Sequence, residues 1–416
     1  MYIKRAIEEA IIKISETFPV LLVTGPRQAG KSTMLEKLAG PERKIVTLDN
    51  PDVRYLANND PVLFMQRFTP PVLIEEIQCA TKLLLYIKMA TDKSKRNGEY
   101  WLTGSQAFHM MKNVSESLAG RVGIVTLLGL STSEINGMPS EPFITSSERL
   151  MKRASQMPKM GVNDVFRRIF KGSMPRLYEK PETDWEMYYR AYVDTYLQRD
   201  IKDLTQVADE MAFYKFITVV AARTAKPVVY EEIANEVGIS APTAKKWLSI
   251  LVSSRIVAIV QPYYNSVLKR VTKMPLMHFL DTGLCAYLLK WGNAEALERG
   301  AMSGAFFESY VFSEIYKSYL NAGKEPPVYY YRDKEKREID LLLYENATHY
   351  PVEVKKAASP GKAAIRNFKA LTPIENPKDS ELTKLKTEIG NGAVVCMAED
   401  VLPVDDKNWY VPVWVV

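Results

Sequence analysis

Residues 25 to 32 read GPRQAGKS, two glycines bracketing a short loop with Lys31 and Ser32 directly after the second. This is the spacing GxxxxGK[ST]. The glycines allow a tight backbone fold whose amides converge on phosphate oxygens near the positive end of a following helix. Lys31 would reach the outer phosphates, and Ser32 would hold Mg²⁺. The flanks suit that chemistry: FPVLLVT over 18–24 reads as a buried strand, and TMLEKLA over 33–39 reads as a helix. The residues predict binding of a nucleoside triphosphate.

Hydrolysis needs a second acidic element, one carboxylate for the metal and one to orient the attacking water. VLIEE over 72–76 supplies both, with Glu75 for the metal and Glu76 for the water. Glu75 stands where Asp is usual, and its longer side chain could reach Mg²⁺ through water. Thr103 and Ser105 close the next strand, where a polar side chain could sense the terminal phosphate; the same residues also suit an ordinary strand-to-loop transition. Arg121, after a Gly turn, and Arg199, in QRDI, are the candidate arginines for neutralising transition-state charge, in cis or from a neighbouring subunit.

A second constellation lies near the C-terminus. Glu353 and Lys355 sit two apart on an expected strand and so share one face. Asp340 on the neighbouring strand and Glu308 on a preceding helix could converge with them. Such a set binds Mg²⁺ through its carboxylates while the Lys stabilises a phosphate. The alternative is a sheet edge with paired charges, Asp340 and Glu353 joined to Lys355 and Arg337. Lys356, Lys362, Arg366 and Lys369 could line a basic groove beside it.

The elements that must position these residues follow from periodicity. A helix over 2–17, then apolar runs at 44–49, 71–76, 99–104 and 123–128 separated by helical segments, predict a mostly parallel α/β sheet with nucleotide at its C-terminal edge. A Gly/Pro/Ser-rich stretch at 137–147 marks a boundary, and 148 to about 205 reads as helical and charged. Residues 230–251 read as helix, turn, helix, with Gly238 in the turn and Ser240 capping the second helix. Lys245 and Lys246 project from that helix, and Tyr263 to Lys273 reads as a hairpin carrying Lys269, Arg270 and Lys273. This is the layout of a winged helix, which could enter a DNA groove or serve only as a scaffold or protein-docking module.

Composition sets the outer bounds. The chain has 416 residues, enough for roughly two to four domains. Its net charge of +6 and pI near 8.8 permit a nucleic-acid partner without requiring one. Cys79, Cys285 and Cys396 form no CxxC pair, and three scattered histidines suggest no metal cluster. An acidic N-terminal segment and the lack of any long apolar run lead us to expect a cytoplasmic protein with no membrane association.

Taken together, FPVLLVTGPRQAGKST, VLIEEIQ, WLTGSQAF, SLAGR, YLQRDIKDL, HFLDTGLCAYLL, GAFFESYVFSEI, REIDLLL and PVEVKK resemble a prokaryotic family of AAA-type ATPases. Its members join a P-loop domain to a winged helix and a C-terminal region related to the PD-(D/E)xK nucleases. The resemblance runs from about Tyr2 to the C-terminus. It implies an AAA-type P-loop NTPase sheet over 1–140, a helical lid over 141–205, a winged helix-turn-helix over 206–275 and an α/β nuclease-like domain over 276–416. It further implies ATP and Mg²⁺ as ligands, with ATP held by Gly25, Pro26, Arg27, Gln28, Ala29, Gly30, Lys31, Ser32 and Thr33. Nuclease-like positions fall at Glu308, Asp340, Glu353 and Lys355. The expected behaviour is an ATP-driven switch that could contact DNA or RNA, a protein partner or further copies of itself, with nucleic acid bound rather than cut. The competing expectation is an ATP sensor that does not hydrolyse its ligand.

Overall fold

The computed structural model describes residues 2–104, 114, 117–196, 210–263, 274–371 and 388–416. Its first layer is a parallel sheet of five strands: β1 (Val20–Thr24), β2 (Lys44–Thr47), β3 (Val72–Glu75), β4 (Tyr100–Gly104) and β5 (Val122–Thr126). They lie in the order β2-β3-β4-β1-β5. Both faces are covered, and the side chains divide by strict alternation. Val20, Leu22, Val72, Ile74, Tyr100 and Leu102 face the helices Pro51–Asn59, Pro61–Arg67 and Leu83–Ser94. Leu21, Val23, Leu73 and Trp101 face Ile7 and Ile11 of the N-terminal segment and Met34 and Leu35 of the helix Lys31–Leu38. The near-continuous apolar runs in the sequence are the signature of this two-sided burial.

The remainder shares one continuous core running from Leu128 to Val416. After helices at Ser147–Gln156, Val162–Lys171 and Trp185–Tyr196, the helix Glu210–Ala222 leads into β6 (Lys226–Pro227), Tyr230–Val237 and Ala241–Ser253. Gly238 ends the first helix of that pair in the left-handed region, and the Ser240 hydroxyl caps the second by accepting the Thr243 amide at 3.2 Å. β7 (Val257–Val260) and β8 (Leu276–Phe279) then pair antiparallel, with β6 on the far side of β8. The segment expected to carry Lys269, Arg270 and Lys273 lies outside the described residues. The helix Ser303–Asn321 precedes a mixed sheet of β9 (Val328–Arg332), β10 (Glu338–Glu345), β11 (Thr348–Lys355), β12 (Glu388–Ile389), β13 (Gly392–Cys396), β14 (Leu402–Pro403) and β15 (Asn408–Pro412). A bridge between Pro262, just after β7, and Tyr330 of β9 ties this sheet to the preceding unit.

The two halves meet at residues 128–134, directly after β5. Arg5 is almost completely buried there. Its Nε donates to Glu134 Oε1 at 2.9 Å, one terminal nitrogen donates to the Ala29 carbonyl at 2.8 Å, and the other donates to the carbonyls of Leu128 (2.8 Å) and Gly129 (3.2 Å). Glu134 also accepts the amides of Ala6 and Ser131, the latter in a capping box. Burial raises the Glu134 pKa, but the Arg5 charge and these donors outweigh it and hold the carboxyl below its usual range. From the other side, Glu314 Oε2 accepts the Thr132 amide at 2.7 Å, Tyr310 shares a 2.6 Å hydrogen bond with the Thr132 hydroxyl, and Lys317 donates to the Leu130 carbonyl at 3.0 Å.

Removing one partner of a buried ion pair leaves the other charge unpaired, which costs about 3–5 kcal/mol. Glu134→Ala should therefore destabilise the protein by about that amount in denaturant unfolding. A loss under about 1 kcal/mol, the size of an exposed pair, would show that the pair holds nothing together.

Candidate phosphate-binding site

β1 delivers the chain into the GPRQAGKS loop, and the loop delivers it into the helix Lys31–Leu38, whose N-cap is Gly30. Gly25 has φ +143°, and a Cβ there would lie 1.9 Å from the Leu127 carbonyl oxygen, so only glycine fits. Gln28 (φ +60°) and Gly30 (φ +87°) adopt the left-handed conformation. Such alternation turns successive amides toward one concavity, the geometry of an anion nest. Lys31 is buried, and its ammonium donates back to the carbonyls of Gly25 (3.0 Å) and Pro26 (2.8 Å).

Glu75 ends β3, two strands from β1 and so about 10 Å away along the same edge. The loop closes that gap: the Ser32 side chain lies close enough to the Glu75 carboxylate to lower its pKa. Glu75 Oε1 is buried without a hydrogen-bond partner among the described residues. Burial raises the Glu75 pKa, opposed by Ser32 and reinforced by Glu36, Glu76 and Asp49. A hydroxyl beside an under-coordinated buried carboxylate, among other acids, is a donor set that suits Mg²⁺. Ser32 and Glu75 would hold that ion, with the remaining ligands coming from phosphate and water.

Glu76 follows in a left-handed conformation (φ +55°). Its amide donates to the Thr103 hydroxyl at 3.3 Å, and its carboxylate accepts from the Gln78 side-chain amide. Thr103 is fully buried and sits beneath Glu76, where it fixes the turn that aims this carboxylate. Ser105 and Arg199 lie outside the described residues. Arg121 does not lie at the loop of its own chain. Its carbonyl accepts the Val20 amide at the start of β1, so it stands at the opposite end of the sheet from the loop. Five residues at about 3.3 Å each separate those ends. Arg121 pairs with Asp92 at 2.5 Å and could act only on phosphates held by another chain.

The C-terminal candidates do converge. The antiparallel register pairs Leu341 of β10 with Val352 of β11, which brings Asp340 beside Glu353. Lys355 Nζ lies 2.6 Å from Glu353 Oε1 and 3.7 Å from Asp340 Oδ2, while Asp340 Oδ2 also accepts the Val354 amide. Burial raises the Glu308 and Asp340 carboxyls, and Lys355 opposes both shifts. Burial works against the Lys355 ammonium, but Asp340, Glu353 and Glu308 outweigh it and hold its pKa above the usual value. Among the described residues, no three His, Cys, Asp or Glu side chains are grouped to hold a metal ion. The expected metal cage is thus a lysine-centred cluster, because the ammonium occupies the point between the carboxylates. Arg337 is not part of it and pairs with Asp333.

Lys356 does not line a groove. Its ammonium pairs with Glu298 at 2.6 Å, contacts Ser303 and lies over the Phe166 ring. Lys362, Arg366 and Lys369 are exposed, as are Lys245 and Lys246. No helix among the described residues is long and apolar enough to cross a membrane.

Comparison with known proteins finds three family models along the chain. Residues 17–136 match the model of an AAA domain, residues 162–295 that of a domain of unknown function (DUF8612), and residues 303–416 that of another (DUF4143). The chain is 28% identical over 345 residues to uncharacterized proteins of Mycobacterium tuberculosis and Mycobacterium bovis, covering 82% of this chain and 71% of each relative. Among solved structures it is similar to the Walker-type ATPase of Pyrococcus abyssi (TM-score 0.43, 14% identity, 69% of this chain and 96% of that one). It is also similar to Thermotoga maritima RuvB (TM-score 0.28, 17% identity, 61% and 85%). The domain match and the loop geometry together identify an AAA-type P-loop domain in the N-terminal part of the chain.

Glu353 offers a test of the C-terminal cluster. Burial and Asp340 push its carboxyl from 4.5 up to about 7, against the pull of Lys355. A carboxyl that binds its proton more tightly when folded stabilises fully below its unfolded value and loses that contribution as pH rises through the folded one. Raising the pH from about 5 to about 8 should therefore cost the native protein on the order of 2 kcal/mol that Glu353→Gln, permanently neutral, does not lose. Parallel pH dependence of Tm in the two proteins would show that Glu353 titrates normally.

Proposed function

We propose that the chain is an Mg²⁺-dependent, ATP-hydrolysing switch, its nucleotide state governing a winged helix and a nuclease-like C-terminal unit that bind nucleic acid without cutting it. The observation that carries the nucleotide part is the loop itself, with its forced Gly25 and left-handed Gln28 and Gly30 leading into the helix at Lys31. In this reading residues 1–140 form the ATPase domain, 141–205 its helical lid, 206–275 the winged helix and 276–416 the nuclease-like domain.

Gly25 to Thr33 would wrap the triphosphate, and the Lys31 ammonium would offset its charge. Bound Mg²⁺ would supply electrostatic stabilisation of charge on the terminal phosphate. Glu76, held by Gln78 and Thr103, would orient the attacking water. The exposed cations at Lys245, Lys246, Lys362, Arg366 and Lys369 favour phosphate backbone contact. With Lys355 seated between the carboxylates, binding rather than cleavage is the expected chemistry of the C-terminal cluster. Arg121 enters only if a second copy presents it, so this reading includes a homo-oligomer.

A second reading rests on Glu75. A carboxyl one methylene longer than Asp, with its pKa raised by burial, suits a site that binds nucleotide and turns it over poorly. The protein would then be an ATP sensor acting on a protein partner. Steady-state phosphate release separates the two, since sustained turnover stimulated by DNA supports the switch and tight binding without turnover supports the sensor.

Lys31→Ala removes the cation facing the triphosphate and should abolish ATP binding by calorimetry; unchanged affinity would sink the assignment. Glu76→Gln should bind ATP normally while phosphate release falls about 100-fold or more. Turnover at the native rate in that variant would remove Glu76 from the mechanism.

A further inference from the structure

We infer that Arg5 is a positioning residue of the phosphate loop, and that through Glu134 and Thr132 it transmits the state of that loop to the helix Ser303–Asn321. The inference rests on the nucleotide reading above and names the route by which occupancy would reach the C-terminal unit.

The route begins inside the loop. The Ala29 carbonyl, next to Gly30 and Lys31, is held at 2.8 Å by a guanidinium that also grips Glu134, Leu128 and Gly129. A guanidinium is planar, and its donors form a fixed fork. The loop therefore cannot shift against residues 128–134 unless the whole fork moves or buried charged hydrogen bonds break, which is costly. A triphosphate would produce such a shift, because it competes with the Gly25 and Pro26 carbonyls for the Lys31 ammonium.

Residues 128–134 are fastened just as firmly on their far side. Tyr310, Glu314 and Lys317 hold Thr132 and Leu130 from positions four and then three residues apart, along one face of the helix Ser303–Asn321. Glu308, two residues before Tyr310, projects from the opposite face at about 100° per residue. There it interacts electrostatically with Asp340, Glu353 and Lys355. One face of a rigid helix is thus tied to the phosphate loop while the other completes the C-terminal cluster. Movement at one end displaces the other.

Hydrogen exchange on the full chain, with and without ATP and Mg²⁺, tests this. Nucleotide should slow exchange in the phosphate loop and, by about fivefold, in residues 128–135 and in the helix 303–321. Arg5→Lys keeps a charge opposite Glu134 but cannot span Glu134, Ala29 and Leu128 together. At nucleotide concentrations that still protect the loop, it should lose the helix response. Loop protection with no helix response in the native protein, or a full helix response in Arg5→Lys, overturns the inference and leaves nucleotide binding intact. No protection anywhere in the native protein overturns both. If Arg5→Lys does not fold, Tyr310→Phe removes one fastening without touching the loop or the ion pairs. It should at least halve the helix response, and an undiminished response would equally overturn the inference.

Discussion

The buried pairing of Arg5 with Glu134 is the constraint on which the rest of the structure depends. Two charges removed from water are tolerable only when every donor and acceptor is matched. Here they are matched by atoms from otherwise separate parts of the chain: the phosphate loop, the exit from β5 and the N-terminal segment. Hydrophobic burial would tolerate many relative placements of those parts, because it lacks direction. Directional bonds to a planar guanidinium tolerate very few. The pair therefore contributes more to the uniqueness of this arrangement than to its net stability.

Around that anchor, the parallel sheet sorts side chains toward the phosphate loop. Parallel strands place all their carboxyl ends on one edge, so the loop after β1, Glu75 at the end of β3 with Glu76 after it, and Thr103 in β4 arrive together without any local signal in common. The same rule keeps Arg121 away from the loop of its own chain. It precedes its strand where the others end or follow theirs, and strand length then becomes distance.

The C-terminal cluster shows how one ammonium changes the chemistry available to three carboxyls. Without Lys355, Glu308, Asp340 and Glu353 would repel one another in a poorly solvated place and would favour a divalent cation. With Lys355 Nζ at 2.6 Å from Glu353, much of that demand is already met. Part of the remaining cost appears as the raised carboxyl of Glu353, whose Oε2 is buried without a hydrogen-bond partner among the described residues.

Much of this was legible in the amino-acid sequence, and the reason is locality. A phosphate loop is a contiguous motif whose glycines are dictated by backbone geometry at Gly25 and Gly30. Strands buried on both faces announce themselves as apolar runs, and Gly238 with Ser240 marks a helical turn through capping chemistry between neighbours. These features carry their physical cause within a few residues. Arg5, Glu134, Glu314 and Lys317 carry no such mark: each looks like an ordinary charge on an amphipathic helix or loop, and only the packing of distant elements takes them out of water. Lys356 and the in-cis reading of Arg121 err in the other direction, since their sequence surroundings suggest a groove and a cation beside the loop. Glu298 and Phe166 in the first case, and the direction of β5 in the second, decide otherwise. The sequence by itself determined the nucleotide loop, its acidic partners and the order of the elements. The tertiary structure alone decided which charges meet, because a Coulombic contact depends on separation in space and the chain records only separation along itself.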